Sequence, residues 1–128
     1  MRRGRAKRVD TGEDAVIYEI RNYHIAPERF AAYSRWAREY AVPYLRTHLD
    51  LVGFWLNNEM PNEVRGEKLD ALGSANVTWI IAWSDPAQRT PTLDHLFATP
   101  EWQRIFAELP GGLDNYLRME SKFATCCS

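Results

Sequence analysis

The chain has 128 residues, which is the length of one ordinary domain. Its composition, with 45% hydrophobic and 26% charged residues, is that of a folded globular protein and excludes a disordered chain or a disulfide scaffold. No apolar run approaches the roughly 18–20 residues of a membrane-spanning helix, and the basic start of the chain lacks the apolar core of a signal peptide. We therefore expect a cytoplasmic protein with no membrane span.

The net charge of −1 conceals an uneven distribution. Five Arg and Lys residues lie in the first eight positions, and removing their charge leaves −6 for residues 9–128. We interpret residues 1–14 as a basic flexible N-terminal tail and residues 15–125 as one folded domain. The acidic character of the domain argues against a nucleic-acid partner.

The first predicted elements are a strand and a long helix. Residues 15–23 are rich in β-branched and aromatic side chains, as is typical of a strand, and Glu19, Arg21 and Tyr23 share one of its faces. Pro27 begins a helix with an apolar, strongly aromatic stripe, which Pro43 is expected to kink or restart.

Two strands follow, separated by a long connection. Residues 51–56 are predicted to form a strand, with Gly53 at a bulge or a close backbone approach. Residues 61–75 show no convincing periodicity and are expected to form a long connection with a short helical turn near residues 68–72. Residues 76–83 form the clearest strand.

The last third of the chain is predicted to contain a helical region and a final strand. Asp85 and Thr99, each followed by a proline, are expected to cap helices, and Pro91 is expected to interrupt the first of them. Gly111 ends this region, and residues 116–123 form the last strand. The order β-α-β-β-α-β predicts an α+β fold of the ferredoxin-like class, with helices on one face of an antiparallel sheet.

The third strand indicates a partner chain. Residues 77–83 (VTWIIAW) do not alternate between apolar and polar side chains, so both faces of this strand require cover. The predicted helices cover one face, and the other would expose a larger apolar patch than soluble monomers usually tolerate. We therefore expect a homodimer.

Several short motifs follow one another along the chain in the order found in one known family. The opening match is residues 18–23 (YEIRNY), followed by Pro27 and the aromatic helix. The later matches, in order, are residues 46–48 (RTH), 51–55 (LVGFW), 79–83 (WIIAW), Arg89, and 99–102 (TPEW). Together these motifs resemble the NIPSNAP family. The resemblance covers about residues 16–123, although the connection at residues 61–75 is longer than the family usually shows.

The resemblance implies a dimeric α+β barrel, in which the sheets of two chains pack together with their helices outside. The same superfamily includes cofactor-independent antibiotic-biosynthesis monooxygenases and heme-degrading monooxygenases, but the NIPSNAP family itself implies no single reaction. The alignment places Phe106 where heme-degrading relatives carry an iron-ligating His, which disfavours heme. No metal-binding spacing of histidines and no nucleotide motif is found, so we expect no cofactor and no metal.

Three polar residues of the first strand are candidates for catalysis. If their face looks into a pocket, Glu19 could act as a base while Arg21 binds an oxyanion or carboxylate. The alternative is an ion network with Arg118 and Glu120 of the last strand. His24, at the end of the strand, could act as an acid or base, or could be a solvent-facing turn residue.

The aromatic residues are candidates for ligand binding, because they exceed what a small core needs and could stack around a flat substrate. The alternative is that they simply form the core. The candidate substrate-binding residues are Tyr23, Tyr33, Trp36, Tyr40, Phe54, Trp79 and Trp83.

Two functions remain open. The first is a dimeric barrel protein that binds a small hydrophobic or aromatic molecule, as a cofactor-independent monooxygenase, isomerase or cyclase if it is an enzyme. The second is a non-catalytic interaction or ligand-sensing protein of the NIPSNAP type. A perturbed pKa at Glu19 or Tyr23 inside a cavity would favour the first, and a pocket filled by its own aromatic side chains would favour the second.

Overall fold

The computed structural model describes residues 16–127, so the expected tail at residues 1–14 lies outside the described residues. The strands are β1 (Ile17–Ile25), β2 (Leu51–Leu56), β3 (Val77–Trp83) and β4 (Tyr116–Ala124). The helices are α1 (Phe30–Trp36), α2 (Val42–His48), α3 (Arg89–Ala98) and α4 (Pro100–Ala107). The strands form an antiparallel sheet in the spatial order β2-β3-β1-β4, which confirms the predicted α+β, ferredoxin-like fold.

A π-helical turn, Ala37–Ala41, joins α1 to α2 and ends two residues before Pro43, the proline that was expected to disturb the helix. In this turn the Val42 N–H bonds to the carbonyl of Ala37, five residues back. Pro43 has no N–H, and its ring would clash with the carbonyl of Glu39 in a regular α-helix. The wider turn accommodates the proline, so the helix continues as α2 without a break.

The second helical region begins at the predicted caps. The side chain of Asp85 accepts a hydrogen bond from the Ala87 N–H, and that of Thr99 accepts one from the Trp102 N–H. The expected interruption at Pro91 is wrong. Pro91 lies in the first turn of α3, where an N–H would have no partner inside the helix and its loss costs little.

The strand β2 and the connection after it also differ in detail from a regular hairpin. The pairing register of β2 shifts between Leu51 and Gly53, which confirms the predicted bulge. A side chain at Gly53 would overlap the ring of Trp55. Within residues 61–75 the expected helical turn is a tight turn, in which the Gly73 N–H bonds to the carbonyl of Asp70.

The helices cover one face of the sheet. In β3, Val77, Trp79, Ile81 and Trp83 are buried, whereas Thr78, Ile80 and Ala82 on the opposite face are only partly buried. The chain therefore covers the first face itself and leaves the second, which we call the open face, without helices. None of the helices within residues 16–127 is long and apolar enough to cross a membrane.

Candidate functional site

A cavity of about 330 Å³ lies between the sheet and the helices. This volume lies within the range of small-molecule binding sites. The sheet and the strand ends contribute Arg21, Tyr23, Phe54, Trp79, Leu113, Tyr116 and Met119. The helical side contributes Tyr33, Trp36, Ala41, Leu45, Phe97, Trp102 and Phe106.

Contacts between aromatic rings fix the walls of this cavity. Phe54 stacks on Trp79 with ring centres 5.5 Å apart, and Phe106 stacks on Trp102 with ring centres 6.1 Å apart. Tyr116 meets Tyr33 edge to face at 5.7 Å. Such contacts hold the rings against one another and leave the central space open, so the aromatic side chains do not fill the pocket themselves.

Arg21 is the one charged residue among the described residues that line the cavity. Its Nε donates to the Tyr23 hydroxyl at 2.8 Å, and its Nη1 donates to Glu19 Oε2 at 2.7 Å. The guanidinium lies over the ring of Trp79, with Cζ 5.0 Å from the ring centre. Within residues 16–127 its Nη2 has no hydrogen-bond partner, so a residue of the cavity wall keeps one unused donor group.

Glu19 lies behind Arg21 and does not line the cavity. Its side chain is fully buried and accepts hydrogen bonds from Arg21, from the Trp83 indole at 2.9 Å, and from both Nε and Nη2 of Arg89 at 3.0 and 2.8 Å. Burial alone would raise the pKa of Glu19, but the bonds from Arg89 and Trp83 and the charges of both arginines lower it from 4.5 to about 2. This carboxylate is therefore better suited to hold Arg21 in position than to act as a base.

The alternative network between β1 and β4 does not form. The observed register places Glu19 opposite Phe123 and Arg21 opposite Ser121, and Arg118 forms its salt bridge with Asp70. The charge partner of Glu19 outside β1 is Arg89 of α3.

Two tyrosines of the cavity wall are held in the neutral form. Burial, together with the neighbouring Tyr116 and Tyr23, raises the pKa of Tyr33 well above its ordinary value. Burial is also the main cause that raises the pKa of Tyr116. Both phenols therefore stay protonated at neutral pH and add no charge to the cavity wall.

Trp79 carries an unsatisfied donor. Its indole Nε1 is buried and has no hydrogen-bond partner among the described residues. The indoles of two other buried tryptophans are satisfied, since Trp36 donates to the carbonyl of Ile105 at 2.8 Å and Trp83 donates to Glu19.

The structure brings together only part of the predicted site. Arg21 lines the cavity with five of the candidate aromatic residues, which are Tyr23, Tyr33, Trp36, Phe54 and Trp79. His24 lies opposite Arg118 in the register of β1 with β4, and it lines a polar cleft on the open face instead of the cavity. Tyr40 is 40% exposed and Trp83 is buried beside Glu19, so neither reaches the cavity.

Sequence reasoning missed other residues of the site. The sequence indicates Arg89 only through the family resemblance and gives Phe97, Phe106 and Tyr116 no role at a cavity. Trp102 is one of the aromatic residues that exceed what a small core needs, but it is not among the candidate binding residues. The spacing of Trp102 and Phe106, one turn apart on α4, was the signal that could have placed them on one wall. Within residues 16–127, no group of three His, Cys, Asp or Glu side chains could hold a metal ion.

Comparisons with known proteins agree on one family. The family model described as NIPSNAP matches residues 18–128. A NIPSNAP family protein of unknown function from Agrobacterium tumefaciens has a similar structure, with 21% identity, a TM-score of 0.67 and coverage of 88% of this chain and 89% of that chain. For an uncharacterised NIPSNAP-like domain protein from Burkholderia xenovorans, the identity is 19%, the TM-score 0.66, and the coverage 90% and 88%.

A more distant likeness is to a candidate antibiotic biosynthesis monooxygenase from Bacteroides thetaiotaomicron. The identity is 18%, the TM-score is 0.55, and the coverage is 91% of this chain and 93% of that chain. None of the curated proteins matches the chain. At these identities, the structural likenesses show a shared fold.

Proposed function

The chain belongs to the NIPSNAP family, and on that premise we propose that it binds a small hydrophobic or aromatic molecule in the cavity beside Arg21. The observation that carries this proposal is an open, apolar cavity with one cation on its wall, which its own aromatic side chains do not fill. We place this function in the cytoplasm, because two adjacent cysteines in 128 residues are not the composition of a disulfide-stabilised secreted domain.

Turnover of the bound molecule is the finer part of the proposal. An oxyanion that develops on the ligand would lie near Arg21 in a site with little water, where a charged donor is most effective. Tyr33 and Tyr116 would keep the wall of the same space uncharged. Such a site suits an oxygenase, isomerase or cyclase that uses no cofactor, and the shared fold of the candidate monooxygenase supports the first of these.

Non-catalytic ligand sensing is the second candidate function. It requires the same cavity and differs only in what happens to the ligand after binding. The four hydrogen bonds to Glu19 favour it over a mechanism with a carboxylate base, because that carboxylate is occupied as an acceptor.

Ligand binding is tested by titrating the full chain with 2-acetonaphthone, a flat neutral probe, in a calorimeter. Leu113 lines the cavity and is 69% exposed, so Leu113→Trp should plug the cavity mouth without disturbing the core. We expect this variant to weaken binding at least tenfold. Leu117→Trp is the matched control, because Leu117 is also exposed but lies outside the lining. Absence of saturable binding to the unmodified chain, or an equal loss in both variants, would contradict the proposal.

A second copy of the chain is the proposed partner. The open face carries the partly buried side chains of Ile20, Ile80 and Ala82 and the half-exposed Trp55, with no helix over them. The same face carries Arg118, Glu120 and Lys122 on β4, whose alternating charges suit a self-complementary contact. These features support a homodimer in which two sheets face each other.

A further inference from the structure

We propose that the ligand carries an anionic oxygen, as a carboxylate or an enolate, at one end of its flat apolar body, and that Trp79 and Arg21 donate hydrogen bonds to this end. The inference rests on the proposed function and narrows it to a class of molecule. It depends on two donors of the cavity wall that the protein itself leaves unused.

The first donor is the indole N–H of Trp79. Trp79 is 2% exposed, lines the cavity, and has no acceptor for its Nε1 among residues 16–127. Buried polar groups in native proteins are nearly always paired, and the protein does pair the indoles of Trp36 and Trp83. An oxygen atom of the ligand is the acceptor that the cavity can supply.

The second donor is the guanidinium of Arg21. Its Nη2 is unused, and its Cζ lies 5.0 Å from the centre of the Trp79 ring, so the guanidinium and the indole are neighbours on the cavity wall. A planar guanidinium with a free N–H group is well suited to a carboxylate or enolate oxygen.

The charges around Arg21 favour an anion over a neutral carbonyl. Glu19 divides its single negative charge between Arg21 and Arg89, so the two guanidinium groups are not fully compensated by this carboxylate. The negative charge of the exposed Asp94 also interacts with the guanidinium of Arg89. The described lining contains no Asp or Glu that would repel an anion.

The test compares three probes that share the naphthalene ring and differ only at the polar end: 2-naphthoate, 2-acetonaphthone and 2-ethylnaphthalene. Calorimetric titration of the full chain at pH 7 should rank their affinities in that order, with 2-naphthoate at least tenfold tighter than 2-ethylnaphthalene. Trp79→Phe keeps an aromatic ring of smaller size and removes the N–H. We expect it to weaken the two oxygen-bearing probes five- to tenfold more than it weakens 2-ethylnaphthalene.

Trp36→Phe is the matched control, because Trp36 also lines the cavity but its N–H already bonds to Ile105. It should change the affinity for all three probes by the same factor. The unmodified chain offers a second measurement that does not depend on the folding of a variant. In nuclear magnetic resonance spectra, the indole proton of Trp79 should move downfield on addition of 2-naphthoate and not of 2-ethylnaphthalene.

The outcomes separate this inference from the proposed function. Equal affinity for the three probes would overturn the inference while leaving a cavity that binds apolar molecules. Preference for 2-acetonaphthone over 2-naphthoate would overturn the anionic part. An unmoved indole proton, or a uniform loss in Trp79→Phe, would overturn the role of Trp79. Binding of none of the probes would contradict the proposed function itself.

Discussion

A carboxylate without exposed surface is stable in a protein only when donors replace the water that it has lost. Glu19 receives four such hydrogen bonds, from Arg21 on its own strand, Trp83 on β3 and Arg89 on α3. One side chain thus ties two strands to a helix and sets the position of the cavity's cation. The role of Glu19 that these contacts support is positioning, and the low pKa follows from the same bonds.

The stability of the fold should depend on pH through Glu19. Its pKa is about 2 in the folded chain and about 4.5 when unfolded, so the stabilisation is complete above pH 4.5 and is lost as the pH falls towards 2. The shift corresponds to about 3 kcal/mol. Urea unfolding between pH 2 and pH 6 measures this loss.

Glu19→Gln should lower the free energy of unfolding at pH 7 and flatten its decline in acid. Glu39→Gln, at an exposed site on the π turn, should leave both unchanged. If Glu19→Gln declined in acid as steeply as the unmodified chain, another carboxyl group would be responsible.

Arg21→Met should separate binding from folding. Glu19 keeps its bonds from Arg89 and Trp83 in this variant, so the loss of stability should stay below the roughly 3–5 kcal/mol of a fully stranded buried charge. Affinity for 2-naphthoate should fall by about 1.5–3 kcal/mol, the range for a hydrogen bond to a charged group. Thermal melts and a calorimetric titration measure the two effects. Unchanged affinity beside a collapsed melting temperature would mean that Arg21 is structural only.

At the scale of elements, the order of strands and helices was predictable because each carries its own local signal. Runs of β-branched residues mark the strands. The capping residues Asp85 and Thr99, each followed by a proline, mark the starts of helices, and Gly111 marks the end of the last helical region. Each of these signals can be read without reference to the rest of the chain. The pairing register of β1 with β4 was not predictable in this way. It depends on the bulge between His24 and Ile25, and opposite charges suggested a pairing of Glu19 with Arg118 that the fold does not use.

The aromatic wall was predictable as a stripe but not residue by residue. Tyr33 and Tyr40 are seven residues apart, which is two turns of a regular α-helix and would place them on one face. The π turn contains one extra residue, so Ala41 takes the position on the wall and Tyr40 points to solvent. A small side chain therefore lines the cavity where a large one was expected, and no local pattern in the sequence predicts this difference.

Thr99 should control the stability of α4. Its hydroxyl accepts a bond from the Trp102 N–H and lies 2.6 Å from the hydroxyl of Tyr44. Thr99→Ala removes the cap and should lower the free energy of unfolding by about 1 kcal/mol, whereas Thr99→Ser should retain most of it. Urea denaturation compares the two, and equal stability of both variants would show that the cap contributes nothing.

The whole molecule presents a sheet with helices over one face and apolar side chains on the other. Such a face is the reason to expect a stable homodimer, which commonly buries upwards of about 2,000 Å² in total. Light scattering at micromolar concentration should give about twice the chain mass of 14.9 kDa. Ile80→Asp places a charge at the centre of the open face and should return the mass to that of one chain. A folded monomer of the unmodified chain at this concentration would be evidence against the dimer.

The π turn also bears on the ancestry of the molecule. A π turn can absorb a one-residue insertion into an α-helix, because the bulge takes up the extra residue and the helix beyond it keeps its phase. Here the surplus falls among Arg38, Glu39 and Tyr40, which are all exposed, while Tyr44 and Leu45 remain in the core. Deletion of one codon within this exposed trio, combined with replacement of Pro43, should therefore be tolerated by the downstream packing. Homologues with a gap at this point would share the same core, and Pro43 is the residue that they would have least reason to keep.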